Sequence, residues 1–122
     1  MRLGGALLVL GLTVGGSACV GDGGAIEGSP SPVATAEVTA TGSNLFSPQH
    51  VAVSAGGTVT WTWSNVEPGH NVVADDGSFS SGDPEGSGTF TRTFDEPGTV
   101  RYYCAVHGTK GGVGMSGTVT VT

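Results

Sequence analysis

Apolar and polar residues alternate most cleanly at 57–63, GTVTWTW: Val59, Trp61 and Trp63 face one side, Thr58, Thr60 and Thr62 the other. That period of two predicts a half-buried strand with both tryptophans in a core. The alternation returns in TFTRTF (89–94), in TVRYYC (99–104) and in the closing MSGTVTVT, where Val119 and Val121 share a face. AEVTAT (36–41) predicts a first short strand with Val38 inward, and His50 to Val53 another, with Pro48 at an irregular or edge position. Ala55-Gly56-Gly57 predicts a turn and DEPG (95–98) a stronger one. HNVV (70–73) predicts a short strand inside a loop-rich stretch from Asn65 to Gly88. Phe90, Arg92 and Phe94 fall on one side, so Arg92 must snorkel to an edge or a bulge must intervene. Val100, Tyr102 and Cys104 share a face, with Arg101 and Tyr103 on the other. With no helix of ordinary length and no internal repeat, these strands predict an all-β fold, a two-sheet β-sandwich or flattened barrel.

The first 18 residues follow a different pattern. Arg2 precedes LGGALLVLGLTV, an apolar run too short to span a membrane as an ordinary helix, and small residues lead to Cys19. This predicts a secretory signal over 1–18. GSAC resembles a lipobox, which implies lipid attachment at Cys19 and stable anchoring to a membrane; ordinary signal cleavage nearby is the alternative. Residues 19–35, rich in Gly, Ser and Pro, predict a flexible linker, leaving 36–122 as the folded domain.

Composition narrows the functional classes. Charged residues make up only 11% of the chain, the formal net charge is −6, and 23 residues are Gly. An acidic balance without a basic patch argues against nucleic acid and allows a basic protein partner or simply a solvated surface. The two cysteines are Cys19 and Cys104. If Cys19 belongs to the leader or anchor, an exported domain keeps Cys104 unpaired, where thiols ordinarily pair or become damaged.

Cys104 lies in YYCAVHGTKGGVGM (102–115), close to His107 and Met115, and His70 comes from a distant loop. Two imidazoles, a thiolate and a thioether make the mixed nitrogen and sulfur set of a blue-copper site, His₂Cys with a weak axial Met. Cys104 is expected to end one strand and Met115 to begin the next, with His107 on the turn between them. Zinc favours four ligands of the Cys and His types and takes Met poorly. A Cys-His hydrolase would use Cys104 as nucleophile and His70 or His107 as base, but no orienting acid is recognisable near either His. Each residue also has a plainer reading: Cys104 as a small buried hydrophobe, His70 and His107 as loop or turn residues, Met115 as packing. His50, inside a strand, is read as structural or exposed.

VEPGHNVV together with EPGTVRYYCAVHG and GMSGTVTV resembles the cupredoxins, especially the plastocyanin, pseudoazurin and halocyanin group. The resemblance runs from LFSPQHVAV to the C-terminus. It implies a Greek-key β-sandwich, one copper ion held by His70, Cys104, His107 and Met115, and single-electron transfer without substrate turnover. Asn71 would tie the two ligand loops together, and the carbonyl of Gly69 could add a weak contact to the metal. Seven residues, GTKGGVG, separate His107 from Met115, more than such loops usually have; an outward bulge is expected there.

The resemblance also implies where electrons would enter. Pro68, Val106 and Val113 would form a small apolar docking patch around the edge of His107. Asp75 and Asp76, followed by Asp83 and Glu85 and close to Tyr103, would form an acidic surface for a basic partner, or an acidic loop with no partner. The expected partners are redox proteins such as a cytochrome or a membrane oxidoreductase, met by a monomer outside the cytoplasmic membrane. A copper-binding or copper-delivery module with exchangeable metal is the rival from another class, and a metal-free structural sandwich a third. Three histidines leave no room for further copper sites of the kind copper oxidases or nitrite reductases need.

Overall fold

The computed structural model describes residues 31–122. The leader, Cys19 and most of the expected linker lie outside them. Seven strands follow in order: β1 (Val33–Ala40), β2 (Phe46–Ser47), β3 (His50–Trp63), β4 (Val73–Ala74), β5 (Gly88–Phe94), β6 (Gly98–Thr109) and β7 (Val113–Val121). Among the described residues there is no helix.

β1 begins at Val33, three residues ahead of the expected domain boundary, because Val33 already pairs with Val53 of β3. The Pro- and Ser-rich composition conceals this. Ladder hydrogen bonds are made by backbone, so the exposed side chains of 33–35 carry no sign of them.

The central correction concerns β3. A turn was expected at Ala55-Gly56-Gly57, yet the chain runs through it as one strand of 14 residues. Before the corner, His50–Val53 pair in parallel with β7. After it, Thr58–Thr62 pair in parallel with β1, and Gly57–Trp63 pair antiparallel with β5. One strand therefore belongs to both layers, with β2, β1 and β5 on one side and β7, β6 and β4 on the other. Glycine makes the corner possible. Gly56 sits at φ +90, and a Cβ on Gly57 would stand 2.9 Å from the Ala34 carbonyl oxygen. The parallel pairs force the chain to cross between layers instead of meandering, which gives the Greek-key β-sandwich expected.

The alternating faces point as the sequence pattern indicates. Val59 and Trp61 are fully buried and Trp63 nearly so; Val38, Val119 and Val121 join them. Trp61 is the centre of an aromatic cluster, with ring centroids 5.1 Å from Tyr102, 5.7 Å from Phe90 and 6.1 Å from Phe79. Burying rings of this size supplies much of the hydrophobic free energy available to so small a domain. Arg92 does snorkel. The β3–β5 register has no bulge, and the guanidinium lies over the Phe79 ring, 4.9 Å from its centroid.

Candidate metal centre

His70 is set into place by its backbone. Its N–H and carbonyl exchange hydrogen bonds with Glu85, at 2.9 and 3.0 Å. Gly69 precedes it at φ +125, and a Cβ there would lie 2.7 Å from the Glu85 carbonyl oxygen, so no other residue fits without displacement. These contacts occupy the residues expected to form a strand at 70–73, and β4 starts only at Val73. The imidazole is buried, with Nε2 2.8 Å from the Thr41 carbonyl oxygen. A carbonyl only accepts, so Nε2 carries the proton and Nδ1 presents its lone pair. That lone pair faces Cys104 Sγ at 3.8 Å.

Cys104 is fully buried on β6. In a regular strand, residues three apart point to opposite faces. The β6–β7 register shifts between Tyr103 and Gly108, and this bulge brings His107 Nδ1 to 3.7 Å from Cys104 Sγ. The ring of His107 is half-buried and stands edge-on to that of His70, with centroids 5.0 Å apart. Burial, and then the neighbouring His70, holds the pKa of His107 below the usual imidazole range. Met115, at 1% exposure, enters from β7.

Cys104 does not end its strand, nor does Met115 begin the next, and no loop bulges outward between them. The ladder resumes with Gly108 opposite Gly114 and Thr109 opposite Val113, leaving only Lys110–Gly112 as the turn. Glycines permit this extended hairpin. A Cβ on Gly108 would stand 2.6 Å from the Met115 carbonyl oxygen, and one on Gly114, at φ +71, would meet the His107 carbonyl.

Asn71 joins the two halves of the centre. Its Oδ1 accepts from the Ala105 N–H at 2.8 Å, and its Nδ2 donates to the Gly82 carbonyl at 2.9 Å. The amide beside Cys104 is thus fastened to the residue beside His70. The Thr41 carbonyl and Glu85 backbone are supports that sequence reasoning missed. Both act through main-chain atoms, which carry no residue-type signal.

Cys104 Sγ, His70 Nδ1 and His107 Nδ1 all lie within 4.8 Å of one another. Hydrogen bonds account for each pair singly, the thiol donating to His70 Nδ1 and accepting from a protonated His107 Nδ1; a metal accounts for the two imidazoles and the sulfur as one donor set. Bond lengths of about 2.0 Å to nitrogen and 2.3 Å to sulfur with an angle near 120° require a nitrogen–sulfur separation of about 3.7 Å, against about 3.5 Å for a tetrahedral angle. The observed 3.7 and 3.8 Å are close to the separations that such donors take around one ion. With Met115, the residues form a candidate single copper site.

The remaining expected site residues do not all gather at this end, since Asp76 lies beside Arg92, Phe94 and Val100. Pro68, Val106 and Val113 are exposed, the latter two at 39% and 57%. Leu45, at 58%, was missed, although an apolar side chain beside Asn44 in a turn is a visible signal. Asp76 is exposed and accepts from the Ser78 N–H at 2.8 Å; the Ser78 side-chain and backbone bonds hold its carboxyl below the usual range. Asp75 turns one oxygen to the Gly111 N–H at 2.8 Å, and Tyr103 is half-buried opposite Val73.

Known proteins resemble this chain over most of the described region. A family model for copper binding proteins of the plastocyanin/azurin family matches residues 34–122. A halocyanin from Natronomonas pharaonis is 41% identical over 91 residues, covering 69% of this chain but only 53% of the halocyanin's length. A plastocyanin from Scenedesmus fuscus is 34% identical over 93 residues, 66% of this chain and 90% of the relative. Among solved structures, a purple cupredoxin from Nitrosopumilus maritimus superposes with a TM-score of 0.56 at 26% identity, over 71% of this chain and 99% of its own. The same fold occurs in a copper-containing nitrite reductase from Thermus scotoductus, where the match covers 24% of the enzyme's chain. The match of the family model across the sandwich and all four candidate ligands establishes that this chain belongs to the plastocyanin/azurin family of copper-binding proteins.

Proposed function

We propose that the protein is a mononuclear type 1 copper protein that carries single electrons between redox partners outside the cytoplasmic membrane. The observation that carries this reading is the convergence of two imidazole Nδ1 atoms on one buried thiol at 3.7 and 3.8 Å. Copper bound there supplies a one-electron Cu(I)/Cu(II) couple. The chain's own residues keep the donors in one arrangement for both oxidation states. His70 is held by Thr41 and Glu85, the Cys104 strand by Asn71, and His107 with Met115 by the glycine hairpin. Donors locked by packing reorganise little when charge changes, and this favours fast transfer.

His107 is the least buried donor, so the electron path to a partner runs through its ring. The exposed Val106 and Val113, with Pro68 and Leu45, would seat that partner. Exposed Asp76, Asp83 and Glu85 in a chain of net charge −6 favour a basic one, such as a cytochrome or membrane oxidoreductase. We further propose that the chain works as a monomer, tethered through lipid on Cys19, and turns over no substrate. A copper-delivery role would favour exposed, exchangeable donors, whereas His70, Cys104 and Met115 are buried.

The test is to add Cu(II) to the metal-free protein and record visible and electron paramagnetic resonance spectra. An intense thiolate-to-copper band with narrow copper hyperfine splitting is expected. A pale, ordinary Cu(II) signal would remove the electron-carrier reading.

A further inference from the structure

The hairpin between His107 and Met115 does not project freely. Its tip folds back toward Arg101 on the outer face of β6, beside a half-open hollow of about 250 Å³ whose lining includes Gln49, Arg101, Gly111, Gly112 and Thr118. At the tip, Asp75 Oδ2 accepts from the Gly111 N–H at 2.8 Å, and a Cβ added to Gly112 would stand only 3.3 Å from Arg101 Nη1. Asp75 is itself fixed to the sheet, since its N–H donates to the Arg101 carbonyl at 2.8 Å. Its other oxygen, Oδ1, is buried with no hydrogen-bond partner. Leaving a carboxylate oxygen buried and unpaired is unfavourable. The bond from Gly111 is the one hydrogen bond the Asp75 carboxylate makes among the described residues.

We propose that Asp75 is a positioning residue for the metal centre: by fastening Gly111 to β4's end it holds the hairpin that carries His107 and Met115 between its arms. Two residues bear on the metal from opposite sides of one turn, so freedom at the tip becomes freedom at both donors. Gly111, Gly112 and Gly114 all have positive φ and impose little stiffness of their own. A carboxylate accepting from a backbone amide is among the stronger hydrogen bonds. This inference rests on the copper reading of the four donors, and its test begins on metal-free protein so that the two can fail separately.

The experiment compares Asp75→Ala, which loses the acceptor, with Asp75→Asn, which loses the charge and keeps an acceptor. Asp75→Ser, too short to reach Gly111, replaces the alanine variant if that does not fold. In metal-free protein, amide exchange at Gly108, Thr109 and Gly111 should quicken by about tenfold or more in Asp75→Ala and stay near wild type in Asp75→Asn. The ring resonances of His107 and the methyl resonance of Met115 should move in the first variant and not in the second. After copper loading, the reduction potentials of the two variants should differ, although both lack the charge. Unchanged exchange overturns the proposal. So does faster exchange with His107 and Met115 resonances in place, and so do equal potentials in the two variants. If wild-type protein yields no thiolate-to-copper band, the copper reading falls, and the metal-free comparison still decides whether Asp75 orders the hairpin.

Discussion

Replacing Asn71 by Ala removes a side chain that bridges the loop of His70 to the strand of Cys104. Two hydrogen bonds are lost, from the Ala105 N–H at 2.8 Å and to the Gly82 carbonyl at 2.9 Å. Asn71 is 4% exposed, so water does not readily take its place. Each bond contributes about 1 kcal/mol net, and an amide left without a partner costs about 1–3 kcal/mol. Ala105 is itself exposed, which softens that second term. The loss should come to about 2–3 kcal/mol, or a fall of some 8–20 °C in Tm for a domain of this size. Urea denaturation of the metal-free protein measures it, because there the donors contribute nothing through copper. Asn71→Asp keeps the acceptor for Ala105 but turns a buried carboxylate oxygen toward the Gly82 carbonyl, and should cost at least as much as Asn71→Ala. A loss below about 1 kcal/mol in Asn71→Ala would refute the bridge as a stabilising element. A full loss with an unaltered spectrum in the copper-loaded protein would confine Asn71 to stability.

Other substitutions test the centre and its supports. Cys104→Ser should abolish the thiolate-to-copper band, while Met115→Leu should keep the colour and raise the reduction potential, because the weak axial donor favours Cu(II); an unchanged potential would place Met115 away from the metal. Gly114→Ala should cost at least about 2 kcal/mol, from the positive φ and the clash with the His107 carbonyl, whereas Gly111→Ala, at φ +90 in open space, should cost only about 1 kcal/mol. Chemical denaturation of both distinguishes them, and equal losses would contradict the tight packing at Gly114. Burial pushes the Tyr102 phenol well above its usual range. The unfolded chain therefore gives up this proton first, and the stability Tyr102 contributes, intact below about pH 10, declines as pH rises beyond it. In a Tyr103→Phe variant, phenolate absorbance should appear only as near-ultraviolet circular dichroism is lost.

Much of this architecture was legible along the chain, and for a physical reason. A strand with one buried face must alternate, so Val59, Trp61, Tyr102, Cys104 and Val119 could be assigned to the inner faces from spacing alone. The candidate ligands were legible because few chemistries use an unpaired thiol, two imidazoles and a thioether together. Arg92 was legible as a conflict, since a charge on an apolar face requires some escape, and the Phe79 ring supplied it.

Tertiary structure alone decided what backbone atoms and glycines do. Gly56 and Gly57 read as a turn, because glycine offers no side chain to show whether the chain reverses or bends from one sheet into the other; the ladders with β7, β1 and β5 settled that. The same ambiguity hid the hairpin at Gly108–Gly114, whose pairing depends on the register already set between Tyr103 and Ser116. Thr41 supports His70 through a carbonyl that every residue possesses, and Asp75 meets Gly111 across 36 positions of sequence. Residue chemistry named the donors, but only contacts between distant segments could bring them within bonding distance of one point.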